Sequence, residues 1–173
     1  MLIARKKSAL RILSISFASA ALLLIAMALP GRNAPGHRAR PADPWTAAQT
    51  VQPAAFAAEL KQEKDPAPTV IYVGVRTLYN GAHIPGAVFH GPGSSAEGLA
   101  GLKQYAATLP KNSNAVLYCG CCPLEKCPNI RPAFSALEEM GFTRLRVLIL
   151  PTSFAKDWVE KGYPIAKSSA AQP

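Results

Sequence analysis

The chain predicts an α/β domain: a parallel sheet with helices on both faces. Two observations predict it. Residues 69–75, 115–118 and 146–150 are short, largely apolar runs without regular polar alternation, as expected of strands buried on both faces. Segments with helical apolar spacing alternate with these runs, and a strand–helix–strand order returns each strand parallel to the one before.

In chain order, the first element is a short helix over residues 53–61. Pro53 suits the first helical position, and Phe56 and Leu60, four apart, share one face. Pro66 and Pro68 then break the chain ahead of Thr69-Val70-Ile71-Tyr72-Val73-Gly74-Val75, the first strand. A loop follows through Asn80-Gly81 and Pro85-Gly86, and Val88-Phe89 is a strand-like pair after it. Leu99, Leu102, Tyr105 and Leu109 mark a helix over residues 96–109. Ala115 to Tyr118 is the second strand. Ile130, Phe134, Leu137 and Met140 mark a helix over residues 129–140 that Gly141 ends. Residues 146–150 form the third strand, and Phe154 and Trp158 share one side of a last short helix over residues 153–161. His83 and Arg76 read as structural residues at a turn and a strand end, whereas His90 has no fixed place.

The 173 residues suffice for one domain with extensions, and 49% hydrophobic residues suffice for a packed core. The formal charge of +9 is concentrated at the N-terminal end. Setting aside Arg5, Lys6, Lys7, Arg11, Arg32, Arg38 and Arg40 leaves +2, and no basic stripe with interleaved aromatics appears, so no nucleic-acid partner is expected. The basic lead, the apolar run 12–29 and the small-x-small sequence Ala26-Met27-Ala28 read as a cleaved export signal over residues 1–28. The rival is an uncleaved anchor, the one case in which the membrane is a partner. A Pro/Ala-rich linker, 29–50, leads to the domain, 51–166, and a flexible tail, 167–173. Such a protein is expected outside the cytoplasm, periplasmic or extracellular.

All four cysteines lie in one run: Cys119, Cys121, Cys122 and Cys127. Cys119 directly follows an apolar strand and precedes a helix. That position offers backbone N–H donors and a positive helix end, which favour the reactive thiolate. Ligands of parallel sheets bind beyond the strand C-terminal ends, where this run sits.

Several segments together resemble a rhodanese-like domain, over about residues 45 to 166. Gly81-Ala82-His83-Ile84-Pro85-Gly86-Ala87 is similar to the family's Gly-His-Ile-Pro-Gly-Ala segment. Ile71 to Arg76 resembles its strand ending in Asp-x-Arg, Val116-Leu117-Tyr118-Cys119 its cysteine-bearing strand, and Phe154 through Trp158 to Gly162-Tyr163-Pro164 its C-terminal signature. Three features depart from the pattern. Gly74 stands where the family has Asp, and Pro151-Thr152-Ser153 replaces a Gly-Gly pair. The loop after Cys119 exceeds the usual Cys-x5-Arg/Ser cradle by about four residues and carries three further cysteines.

The resemblance implies a sulfurtransferase that moves sulfane sulfur from a small thiosulfate-type anion to a thiol or other thiophilic acceptor through a persulfide. Cys119 is the implied nucleophile, with Gly120, Cys121, Cys122, Lys126 and Arg131 as the implied anion-binding groups. No cofactor is expected. The remaining cysteines leave alternatives open. A stapling disulfide fits Cys122 with Cys127, since the adjacent Cys121–Cys122 pair is strained. Cys121 offers a resolving thiol, and Cys119, Cys121, Cys122 and Cys127 together offer thiolates to zinc or copper(I) in a catalytically inactive redox or metal-binding module.

Overall fold

The computed structural model describes residues 42–62 and 65–168. The expected signal or anchor and most of the expected linker and tail lie outside the described residues, and no described helix is long and apolar enough to cross a membrane.

Five parallel strands form the sheet: β1 (Thr50–Val51), β2 (Thr69–Tyr72), β3 (Val88–Phe89), β4 (Ala115–Tyr118) and β5 (Leu145–Leu148), in the spatial order β1-β5-β4-β2-β3. β4 lies centrally, with Tyr118 opposite Tyr72 on β2 and Leu117 opposite Val147 on β5. All four β4 residues are buried, as its unbroken apolar run requires.

Successive residues of β2 and β4 serve opposite faces. Ile71 and Leu117 pack with Leu102 and Ala106 of α3 (Ala96–Ala107) and with Ile130, Phe134 and Leu137 of α4 (Ile130–Glu139). Val70, Tyr72, Val116 and Tyr118 pack with Phe56 of α1 (Pro53–Leu60) and with Trp158 of a wide terminal turn, Ala155–Val159. Helices thus cover both faces, as expected. Ser95 caps α3 by accepting the Gly98 N–H at 3.0 Å, and Gly141, at φ +85°, ends α4 as its position indicates.

Four features differ from expectation. The first expected strand, 69–75, ends three residues early, at Tyr72. The stretch expected as a loop begins with a helix, α2 (Arg76–Gly81), none of whose residues is buried. β1 falls across the expected linker boundary, and the folded unit already includes Asp43 and Trp45. The Trp45 ring meets Phe134 edge-on at 5.5 Å. The third expected strand begins one residue early and ends two residues early: Leu145 is buried, while Ile149 continues the chain only through its N–H to Val51 O.

His83 is structural, as expected. It is buried, its Nδ1 lies 2.8 Å from Tyr79 O, and its ring stacks on Tyr79 at 4.0 Å. His90 stacks on Tyr105 at 4.4 Å, and burial lowers its pKa. Arg76 lies over the Phe89 ring.

Candidate functional site

β4 delivers Cys119 to the C-terminal edge of the sheet, where the backbone turns at once through Gly120 at φ +94°. A side chain at Gly120 would also overlap the Phe154 Cβ, and Gly120 O accepts the Phe154 N–H at 3.1 Å. Conformation and close approach both call for glycine. The loop continues through Cys121 and Cys122 into a tight turn, Leu124–Lys126, pinned where Leu124 N–H meets Leu150 O at 3.0 Å. It reaches Cys127 three residues ahead of Ile130, the first residue of α4.

The fold gathers the sulfurs. Cys119 Sγ and Cys121 Sγ are 3.2 Å apart, as are Cys121 Sγ and Cys122 Sγ. The Sγ atoms of Cys119, Cys121 and Cys127 all lie within 4.8 Å of one another. Cys119 and Cys127 are buried, at 4% and 2% exposure, while Cys121 is exposed. All four are free thiols, so the expected Cys122–Cys127 bridge is not formed. Cys122 also falls outside the mutually close trio, which narrows the four-sulfur ligand set that the spacing offers.

The positive helix end acts on a different sulfur from the one expected. Cys127, beside α4, accepts the N–H groups of Asn129 and Ile130. Cys119 faces the Cys127 sulfur within 4.8 Å; that interaction above all, with burial added, pushes Cys119 well above the ordinary thiol range. The facing Cys119 thiol above all, and then the two backbone N–H groups, bring Cys127 down to about 6 against the opposing effect of burial. The two thiols titrate as a pair, with Cys119 pushed up and Cys127 drawn down. Cys119 keeps two stabilising donors of its own, the Cys121 N–H and the Asn129 side chain. Burial, and then its bond with Cys121, pushes Cys122 up to about 12.

Asn129 is a residue of this cluster that the motif reading missed. Its side chain is buried, and its Nδ2 donates to Cys119 Sγ at 3.4 Å, with Cys121 Sγ at 3.9 Å. Its Oδ1 accepts the Ser94 N–H at 3.2 Å and the Ser94 hydroxyl at 2.7 Å, which fixes the direction of the amide. Gly93 makes room: a Cβ there would overlap Asn129 O. The visible signal was a buried-type asparagine at the start of an apolar helix, two residues after a cysteine.

The cations expected to bind an anion are placed otherwise. Arg131 pairs with Asp43 and donates to Cys127 O at 3.2 Å and Leu124 O at 3.5 Å, so its guanidinium holds the loop from outside. Lys126 is exposed on the loop turn. Beside the site, Tyr72, Thr77, Leu78, Gly120, Phe154 and Val159 line a mostly apolar cavity of about 250 Å³.

No family model matches the chain, and no curated protein matches it. Its architecture does occur among solved structures. The rhodanese-like domain of an Anabaena sp. protein, in solution, matches it with a TM-score of 0.51 and 22% identity, over 72% of this chain and 83% of that one. A crystal structure of the same Anabaena protein gives 0.52 and 20%, over 68% and 82%. A Bacillus halodurans protein gives 0.53 and 20%, over 69% and 77%. The five-stranded parallel sheet with helices on both faces is thus the rhodanese-like fold, and it carries a cysteine group at the C-terminal edge of its central strand.

Proposed function

We propose that the protein is an exported sulfurtransferase that carries sulfane sulfur as a persulfide on Cys119. The observation that carries this reading is the setting of Cys119: a sulfur at the end of the central β4, facing the Cys127 sulfur within 4.8 Å and accepting the Asn129 amide. Cys127 is placed to take the Cys119 proton as Cys119 attacks the outer sulfur of a thiosulfate-type donor. The donor S–S bond breaks and sulfite leaves with the electron pair. An acceptor thiolate then attacks the terminal persulfide sulfur, and Cys119 departs as a thiolate. The Cys121 N–H and Asn129 Nδ2 stabilise the anionic sulfur at both stages.

Reduced protein exposed to thiosulfate is expected to gain about 32 Da on the Cys119 peptide under non-reducing mass spectrometry, and Cys119→Ser to gain nothing there. A wild-type protein that never gains this mass overturns the reading. Export rests on the basic and apolar N-terminal run. A periplasmic product beginning after Ala28 is expected on expression in a Gram-negative host. An intact chain in the membrane would make the run an anchor, and an intact cytoplasmic chain would overturn export.

A second reading, a redox or metal-binding module without turnover, has one observation in its favour. Cys119 is only 4% exposed, while its neighbour Cys121 is open to solvent.

A further inference from the structure

We propose that Cys119, Cys121 and Cys127 form a three-sulfur site for copper(I). The ligand set is purely thiol, with no histidine or carboxylate in the group. Thiolates select soft ions, among which copper(I) and zinc are the first-row choices. Coordination number separates these two. Structural zinc takes four ligands in a tetrahedron, whereas Cys122, though 3.2 Å from Cys121, falls outside the set of three sulfurs that all lie within 4.8 Å of one another. A planar three-coordinate ion with metal–sulfur bonds of about 2.3 Å needs sulfurs about 4 Å apart. The trio lies within 4.8 Å, with Cys119 and Cys121 at 3.2 Å, so adjustments under about 1 Å complete the triangle.

The three sulfurs are held by independent parts of the fold. Cys119 is fixed by β4, Cys127 by the entrance to α4, and Cys121 by the turn at Gly120. Around them lies a shell of donors suited to sulfurs carrying negative charge. Asn129 Nδ2 lies within reach of Cys119 and Cys121, and the Asn129 and Ile130 N–H groups face Cys127. Ser94 sets the Asn129 amide so that its N–H side faces the sulfurs. Burial of Cys119 and Cys127 keeps water from two sides, while exposed Cys121 gives the ion a way in. The same sulfurs serve the proposed sulfur transfer, so bound copper would block persulfide formation.

The test is an anaerobic titration of the reduced, full-length protein with copper(I) against a chromogenic copper(I) chelator, followed by X-ray absorption. One ion per chain is expected, with three sulfur neighbours at about 2.3 Å. Cys121→Ser alters an exposed position and is expected to weaken binding at least about tenfold, and Asn129→Leu by about tenfold through the lost outer donor. Cys122→Ser is expected to bind as wild type. No binding, two-sulfur coordination, equal loss in Cys122→Ser, or preferential retention of zinc with four sulfurs would each overturn the assignment. The thiosulfate mass shift on metal-free protein is read separately. A chain that gains sulfur but binds no copper sinks this inference alone, and one that binds copper but never gains sulfur sinks the transferase reading alone.

Discussion

Glycine at position 74 has a physical reason, and Gly74→Ala tests it. A Cβ at Gly74 would overlap the Tyr72 hydroxyl, lie 2.6 Å from Tyr72 Cζ and 3.1 Å from Cys119 Sγ. The Tyr72 ring is 2% exposed and has neighbours on several sides, with Tyr118 at 5.1 Å, Tyr79 at 5.5 Å and Phe89 at 6.1 Å. Packed on these sides, it moves less freely than an exposed side chain, so the ring or the backbone must shift. Overpacking of this kind costs about 1–3 kcal/mol. Gly74 is not among the residues at positive φ, so alanine also stiffens the unfolded chain, a gain of about 0.4–1 kcal/mol. The net expectation is a loss of about 1–2 kcal/mol. At a urea slope of about 2 kcal/mol/M, the unfolding midpoint falls by roughly 0.5–1 M with the slope unchanged. Gly74→Asp is expected to cost more, because it also sets a carboxylate against Cys119 and disfavours the thiolate there. A Gly74→Ala midpoint equal to or above wild type would refute the steric argument, since only the entropic gain would then remain.

Four further outcomes follow from the site and its frame. Asn129→Asp keeps an oxygen for the two Ser94 donors but loses the N–H toward Cys119 and Cys121, so persulfide loading from thiosulfate is expected to slow at least about tenfold while the protein stays folded by circular dichroism. In reduced, metal-free protein, thiolate absorbance near 240 nm is expected to show one ionisation centred near pH 6, lost in Cys127→Ser. Because the folded pKa of Cys127 lies below the unfolded value of about 8.5, its contribution to stability is full above that value and disappears as pH falls through about 6; a stability profile flat from pH 5 to 8 in wild type and Cys127→Ser alike would contradict it. Arg146 joins Glu59 through two contacts of 2.8 Å and Asn114 through a third, and it is partly exposed, so Arg146→Met is expected to cost about 1–3 kcal/mol by urea denaturation.

What the sequence makes legible depends on how local the cause is. β2 and β4 announce themselves because burial on both faces leaves no polar residue in the run from Val70 to Val73 or from Ala115 to Tyr118. β5 is harder to place because Arg146 lies within it and finds its partner on α1, 87 residues away in the sequence. β1 has two residues, too few for any period, and α2 buries none of its residues, so no apolar stripe marks it. The same distinction divides the site. Cysteine spacing and a strand end are local, so Cys119 and its sulfur neighbours could be named in advance. The Ser94–Asn129 bond spans 35 residues, and the loop's fold decides which sulfur meets the helix end. Cys119 stands eleven residues before Ile130, whereas Cys127 stands three before it, so the N–H groups opening α4 reach Cys127 and act on Cys119 only through the pairing of the two sulfurs. A cysteine before a helix in the sequence is therefore weaker evidence for its own thiolate than a cysteine within one turn of the helix start, and in a loop with cysteines at both ends the two sulfurs titrate as a pair, one pushed up and the other drawn down.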